Sequence, residues 1–148
     1  MSGARVETGH VGLNVSDIER SRRFYEEAFG LRTTHESTEP GRRYLFLGDG
    51  ERLVLTLWQQ SEGGFERARP GLHHLSFQVA SIDEVTSAHE RLRRLGARFH
   101  HDGIVAHAEG AGSAGIFFED PDGIRLEIYS PTAAGAYPAA DGPACGFF

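Results

Sequence analysis

Glu127 stands between Leu126 and Ile128 in the run Gly115-Ile-Phe-Phe-Glu-Asp-Pro-Asp-Gly-Ile-Arg-Leu-Glu-Ile-Tyr129. The residues Ile116 to Phe118, a Pro-Asp-Gly turn and a second β-prone run from Ile124 to Tyr129 predict a hairpin. Glutamate is poor strand material and costly to bury alone, so Glu127 either faces solvent or is compensated by a cation. Two of the chain's eight histidines stand out as partners because they open the same pattern twice. His10-Val-Gly-Leu-Asn-Val15 lies on His74-Leu-Ser-Phe-Gln-Val79, and Ile18 falls on Ile82 at the same offset. His73 is the rival of His74 and points to the opposite face of an extended strand; the match to His10 selects His74.

The elements that would position these residues also repeat. Residues 6–15 alternate as a strand, with Val11, Leu13 and Val15 on one face and His10, Gly12 and Asn14 on the other. Ser16-Asp-Ile-Glu19 reads as a capping box for a helix with Ile18, Ser21, Tyr25, Ala28 and Phe29 along one stripe, stopped by Gly30. Three β-prone runs follow, Leu31 to Glu36, Tyr44 to Leu47 and Leu53 to Trp58. The second half begins with a strand from Leu72 to Val79 and a capping box at Ser81-Ile-Asp-Glu84. Its helix turns Ile82, Val85, Ala88, Leu92 and Leu95 inward and ends at Gly96. Strands are then expected at Arg98 to His101, Ile116 to Phe118 and Arg125 to Tyr129.

The plan is therefore βαβββ twice: an α+β chain with module one at residues 6–60, a polar connector at 61–71 and module two at 72–131, forming one domain over 1–131. Each module is too small to bury a core alone. Aligning the glycine turns, Gly50 with Gly123, pairs Val54 with Glu127. Residues 132–148 are rich in Ala, Gly and Pro and are expected to be a mobile tail, whose closing Cys-Gly-Phe-Phe offers an aromatic pair for docking.

The 148 residues are 39% hydrophobic and 24% charged, which suits a globular domain with a real core. Net charge is -6 and the basic residues are scattered, so nucleic-acid binding has no support. No apolar run is long enough to cross a membrane as a helix. The opening Met-Ser-Gly-Ala-Arg lacks an apolar secretory segment, and Cys145 is the single cysteine. A reducing, cytoplasmic setting is the expectation.

The paired His-containing strands, the capped helices and Phe-Phe-Glu-Asp-Pro-Asp-Gly with Glu127 four residues beyond the glycine resemble the vicinal oxygen chelate superfamily over residues 6–131. That superfamily includes glyoxalase I, extradiol dioxygenases, fosfomycin-modifying enzymes and bleomycin-sequestering proteins. The resemblance implies a U-shaped, mostly antiparallel sheet around a cavity for metal and substrate. It also implies metal ligands on the first and last strands of each module: His10, His74 and Glu127, with valine at the fourth position. Two imidazoles and one carboxylate suit Fe(II) and leave positions open for substrate and O2; Mn, Ni or Zn are the other candidates.

The extradiol dioxygenase pattern resembles residues 107–127, with two departures. Phe117 replaces a tyrosine, and His107, the candidate general acid or base, is displaced by one residue. Trp58, Phe117 and Tyr129 are candidates for lining a substrate cavity. His100 and His101 are candidates of the same kind as His107, and His35 and His89 read as surface residues. The favoured activity is Fe(II)-dependent oxygenation of a small, aromatic vicinal diol. The alternatives are a non-redox lyase, isomerase or transferase on the same triad, and an antibiotic-sequestering protein without catalysis. A homodimer is expected from the resemblance, with the site formed within one chain or between two.

Overall fold

The computed structural model of the protein describes residues 3–133, 135, 137–140 and 147. It comprises two compact units, Met1–Gly63 and Gly64–Phe148, each built around one helix and one mixed sheet.

In the first unit β1 (Val11–Val15) leads into α1 (Ile18–Phe29), followed by β2 (Arg32–Ser37), β3 (Tyr44–Gly48) and β4 (Leu53–Gln59). The sheet order is β1-β4-β3-β2, and β1 runs parallel to β4 while the other pairs are antiparallel. Leu45, Leu47, Leu55 and Leu57 are fully buried, as period-2 alternation requires of the face packed under the helix. α1 buries Ile18, Ser21, Phe24, Tyr25 and Ala28, so Phe24 takes the place expected of Phe29. Gly30 caps its end in the left-handed conformation (φ 69°) that a side chain disfavours.

The N-terminal cap is one residue later than the sequence motif suggests. Asp17, not Ser16, accepts the hydrogen bond of Arg20 N, at 3.0 Å. Ser16 Oγ instead accepts from the Arg20 guanidinium. Both are good cap residues, and carboxylate charge at the positive end of the helix favours Asp17.

The second unit follows the same plan with β5 (Leu75–Gln78), α2 (Ile82–Arg94), β6 (Arg98–Phe99), β7 (Val105–Ala106), β8 (Ala114–Glu119) and β9 (Arg125–Ser130). The order is β5-β9-β8-β6, with β7 also on β8, and β5 is parallel to β9. α2 opens with the full capping box at Ser81 and Glu84 and buries Val85, Ala88 and Leu92. The position that β2 fills in the first unit is divided here between β6 and β7, because the chain leaves the edge of β8 after Phe99 and returns at Val105. Two-residue strands carry too little periodicity to be read from sequence, and β7 was not expected.

Parts of the segment expected as a tail are described. Ala106 N donates to Pro138 O (2.8 Å) and Ala140 N to Ala106 O (3.1 Å), so residues 138–140 lie along β7. Phe147 is 6% exposed and clusters with Val105, Phe117 and Ala140. Cys145 and Phe148 lie outside the described residues.

Candidate functional site

The turn before β9 fixes the position of Glu127. Asp120 Oδ1 accepts from Asp122 N and Ile124 N, both at 2.9 Å, and Gly123 adopts φ 84° to reverse the chain. β9 then pairs antiparallel with β8 in a register that sets Phe117 opposite Glu127 and Gly115 opposite Tyr129. On the other side β5 sets Ser76 against Glu127 and Gln78 against Tyr129. Alternation therefore gathers Phe117, Arg125, Glu127 and Tyr129 on one face, while Ile116, Phe118, Leu126 and Ile128 face the helix side.

Glu127 is buried, at 4% exposure, and two imidazoles meet it. His74 Nε2 is 3.6 Å from Glu127 Oε2. His107 Nε2 is 2.5 Å from Glu127 Oε1, and its Nδ1 is 2.8 Å from Ser113 Oγ. Glu127 therefore does not face solvent but is buried with an imidazole at each carboxylate oxygen.

The two imidazoles differ electrostatically. Burial lowers the His74 pKa; the Glu127 carboxylate opposes this without overcoming it, and His73 and Arg125 add to the lowering. His74 Nδ1 lies 2.9 Å from His73 Nδ1, one donating and the other accepting, which leaves Nε2 directed at Glu127. His107 is shifted the other way, its pKa raised by the hydrogen bond to Glu127 against the cost of burial. One carboxylate thus serves a neutral imidazole and one that favours its proton.

A second buried carboxylate lies on the same face. Glu119 (6% exposed) pairs with Arg67 and His100, with Arg98 Nε at 3.7 Å. His100 is nonetheless lowered, because burial outweighs Glu119. Sequence reasoning left His100 undecided and missed Arg125, and it offered the closing aromatic pair for docking without placing Phe147. Arg125 shares the alternation of Glu127 and Tyr129, a signal that was there to be read. Phe147 lies far along the chain with no such pattern.

Other candidates are placed as follows. The Tyr129 hydroxyl donates to Gln78 Oε1 (2.9 Å), and its ring stands 5.3 Å from that of His107. Phe117 is 1% exposed and lies edge-on to His107 and His101. In the first unit, Trp58 donates to Thr56 Oγ1 and stacks obliquely on Tyr44 beside a cavity of about 210 Å³. His10 is exposed and lies just before β1. His35 is exposed against Tyr44 and Phe46, whereas His89 packs edge-on against Phe99, and burial lowers its pKa.

The registers correct one alignment. Gly12 is opposite Thr56 in the first unit as Ser76 is opposite Glu127 in the second, so the counterpart of Glu127 is Thr56 and not Val54. The β3–β4 turn is longer by two residues between its glycine and that position, which glycine matching could not reveal. Thr56 is 2% exposed and its hydroxyl accepts from Trp58.

Among the described residues, no group of three or more His, Cys, Asp and Glu side chains is arranged to hold a metal ion. The donor set around Glu127 nevertheless has the right chemistry for a divalent cation: a buried carboxylate facing an imidazole kept neutral by its surroundings. No helix among the described residues is long and apolar enough to cross a membrane.

Residues 8–128 match the Glyoxalase/Bleomycin resistance protein/Dioxygenase superfamily. Among curated proteins the chain is 31% identical to the uncharacterized protein YqjT of Bacillus subtilis over 131 residues, covering 83% of this chain and 98% of that one. It is 28% identical to a probable trivalent organoarsenical cleaving enzyme of the same organism, covering 92% and 88%. It is 27% identical to that organism's catechol-2,3-dioxygenase, covering 82% of this chain and 40% of the larger relative. Among solved structures, a glyoxylase/bleomycin resistance protein/dioxygenase domain from Frankia sp. EAN1pec superposes with a TM-score of 0.72 at 27% identity, covering 86% and 93%. A mutant of the fosfomycin resistance protein FosX of Listeria monocytogenes, solved with Mn(II) and 1S,2S-dihydroxypropylphosphonic acid, shares the fold with a TM-score of 0.64 at 20% identity, covering 84% and 90%. By the extent of the family match and the fold that goes with it, the chain belongs to the glyoxalase/bleomycin resistance protein/dioxygenase superfamily.

Proposed function

We propose that the protein is a metal-dependent enzyme that adds both atoms of O2 to a small aromatic substrate with two adjacent oxygens. His74 and Glu127 would hold Fe(II), with His10 as the third ligand. The observation that carries this reading is the approach of His74 Nε2 to Glu127 Oε2 at 3.6 Å, with the imidazole kept neutral by burial. The similarity to a catechol-2,3-dioxygenase supports the oxygenase choice. When bound, the metal supplies Lewis-acid polarisation of the substrate oxygens and a site for O2.

The protein's own residues do the rest. His107 orients the Glu127 carboxylate through Nε2 and is itself fixed by Ser113 at Nδ1, the kind of outer contact that tunes a ligand. The hydrogen bond to Glu127 raises the His107 pKa, and His107 is the candidate general acid or base of the site. Phe117, opposite Glu127, walls the face with an apolar ring and excludes water.

One observation favours a second reading. Phe117 brings no hydroxyl where the extradiol pattern has a tyrosine, so a non-redox lyase, isomerase or transferase using Mn, Ni or Zn on the same residues is the alternative. Oxygen uptake by protein reconstituted anaerobically with Fe(II), assayed on catechol and fused-ring diols, tests the choice. Uptake that requires substrate and disappears in Glu127→Ala supports the oxygenase. Metal bound without uptake moves the assignment to the non-redox group, and absence of metal binding overturns both.

A further inference from the structure

The space beside His74 is occupied by the chain itself. The Phe147 ring lies 4.8 Å from the His100 ring, 5.3 Å from Phe117 and 5.4 Å from His74, centroid to centroid. The guanidinium carbon of Arg125 is 5.3 Å from the centre of the same ring, and Arg125 Nη1 donates to Phe147 O at 3.3 Å. This is a slot for a flat ring, walled by two imidazoles and a phenyl, with a cation at one end that already binds an oxygen.

Arg125 is the informative residue. It is 8% exposed, and among the described residues its hydrogen bonds go to two main-chain carbonyls, Phe147 O and His73 O, with no carboxylate bonded to it. A buried guanidinium gains most from an anion that accepts two parallel hydrogen bonds, and neutral carbonyls are weaker acceptors. The Nε bond to His73 O at 2.8 Å fixes the side chain so that the end carrying Nη1 faces the slot. The neighbouring carboxylate, Glu119, is engaged instead by Arg67, Arg98 and His100.

We propose that the slot formed by His74, His100, Phe117 and Arg125 is a binding site for an aromatic carboxylate, and that Phe147 is its resident occupant. The ring of the ligand replaces the Phe147 ring, and its carboxylate replaces the Phe147 carbonyl on Arg125. This deepens the oxygenase reading by naming a substrate class, and it rests on that reading for the placing of reacting oxygens near His74 and Glu127. Because Phe147 must leave first, the affinity of a ligand is reduced in proportion to the fraction of molecules with the slot open.

The test is calorimetric titration of benzoate into chelator-treated protein, with benzamide as the neutral ring of the same shape. Phe147→Ala is expected to bind benzoate at least tenfold more tightly than the parent chain. Benzamide should bind that variant at least tenfold more weakly than benzoate. If Phe147→Ala does not fold, Phe147→Leu keeps apolar bulk while removing the ring and carries the same comparison. Equal or weaker benzoate binding by the variant overturns the occupant role, and equal binding of benzamide overturns the role of Arg125. Since no metal or O2 takes part, failure here leaves the oxygen-uptake test intact, and failure there leaves benzoate binding intact.

Discussion

Glu127 holds His107 by one carboxylate oxygen, at 2.5 Å, and faces His74 with the other, at 3.6 Å. A single buried carboxylate therefore couples two imidazoles whose pKa values move in opposite directions. That coupling can be measured. Glu127→Gln should bring the His107 pKa down towards the ordinary imidazole value, read by NMR titration of the ring protons. An unchanged titration would mean that the hydrogen bond does not govern it.

The same shifts set the dependence of stability on pH. His107 is raised in the folded state, so its contribution is present below the ordinary imidazole pKa and is lost as pH rises through the raised value. His74 and His100 are lowered, so the folded state resists their protonation and is weakened as pH falls below the ordinary imidazole range. Urea unfolding from pH 5 to 9 should show stability rising from the acid side. In His107→Asn the loss of stability as pH rises above the ordinary imidazole value should diminish, while the acid side stays as in the parent.

Metal binding should compete with both protons. Neutral His74 is the ligating form, and a cation at Glu127 removes the support that holds the His107 proton. Addition of Zn(II) near pH 7 should release protons in an unbuffered titration, and affinity should fall about tenfold or more for each pH unit below the imidazole range. His107→Ala should weaken binding by roughly 10–100-fold, the scale of an outer-contact loss. His74→Ala should weaken it further.

Gly115 is required for a reason other than backbone freedom. A Cβ there would meet Ile128 O at 2.6 Å and Tyr129 Cβ at 2.8 Å, and neither can retreat within a paired strand. Gly115→Ala should destabilise the protein by about 1–3 kcal/mol, as overpacking does. It should also disturb the His107 titration, because Tyr129 carries the ring that packs on His107.

The two helix caps give a local check. Asp17→Ala and Ser81→Ala should each cost about 1 kcal/mol, while Ser16→Ala should cost only a few tenths, in chemical denaturation. A larger loss at Ser16 than at Asp17 would restore the cap that the sequence motif suggests.

The architecture was legible because its signals are local. The repeat beginning at His10 and His74, both helices with their glycine stops, and the hairpin carrying Glu127 follow from periodicity and turn chemistry over short windows. What could not be read was register and long-range packing. Matching Gly50 to Gly123 counted residues along the chain, whereas pairing of Gly12 with Thr56 and Ser76 with Glu127 is decided across strands. The division of an edge strand into β6 and β7 depends on how residues 100–104 leave β8. Burial of Phe147 depends on a cluster whose members come from four separate parts of the sequence. The resemblance had paired His74 with Glu127, whereas the approach of His107 to the same carboxylate became visible only in the folded unit.

The parallel pairing of β5 with β9 gives the second unit a particular order of events. Gln78 and Tyr129 are 51 positions apart, yet they are joined by a hydrogen bond, and the same pair of strands sets Ser76 beside Glu127. The β8–β9 hairpin can close locally, but the β5 contact must wait for loop closure over the whole unit, the step that slows chains dominated by distant contacts. Glu127 can therefore reach β8 early and the strand preceded by His74 late. A chain stalled before that closure would hold the carboxylate without its neutral imidazole, so recovery of the His74–Glu127 pair during refolding reports completion of the fold rather than its onset.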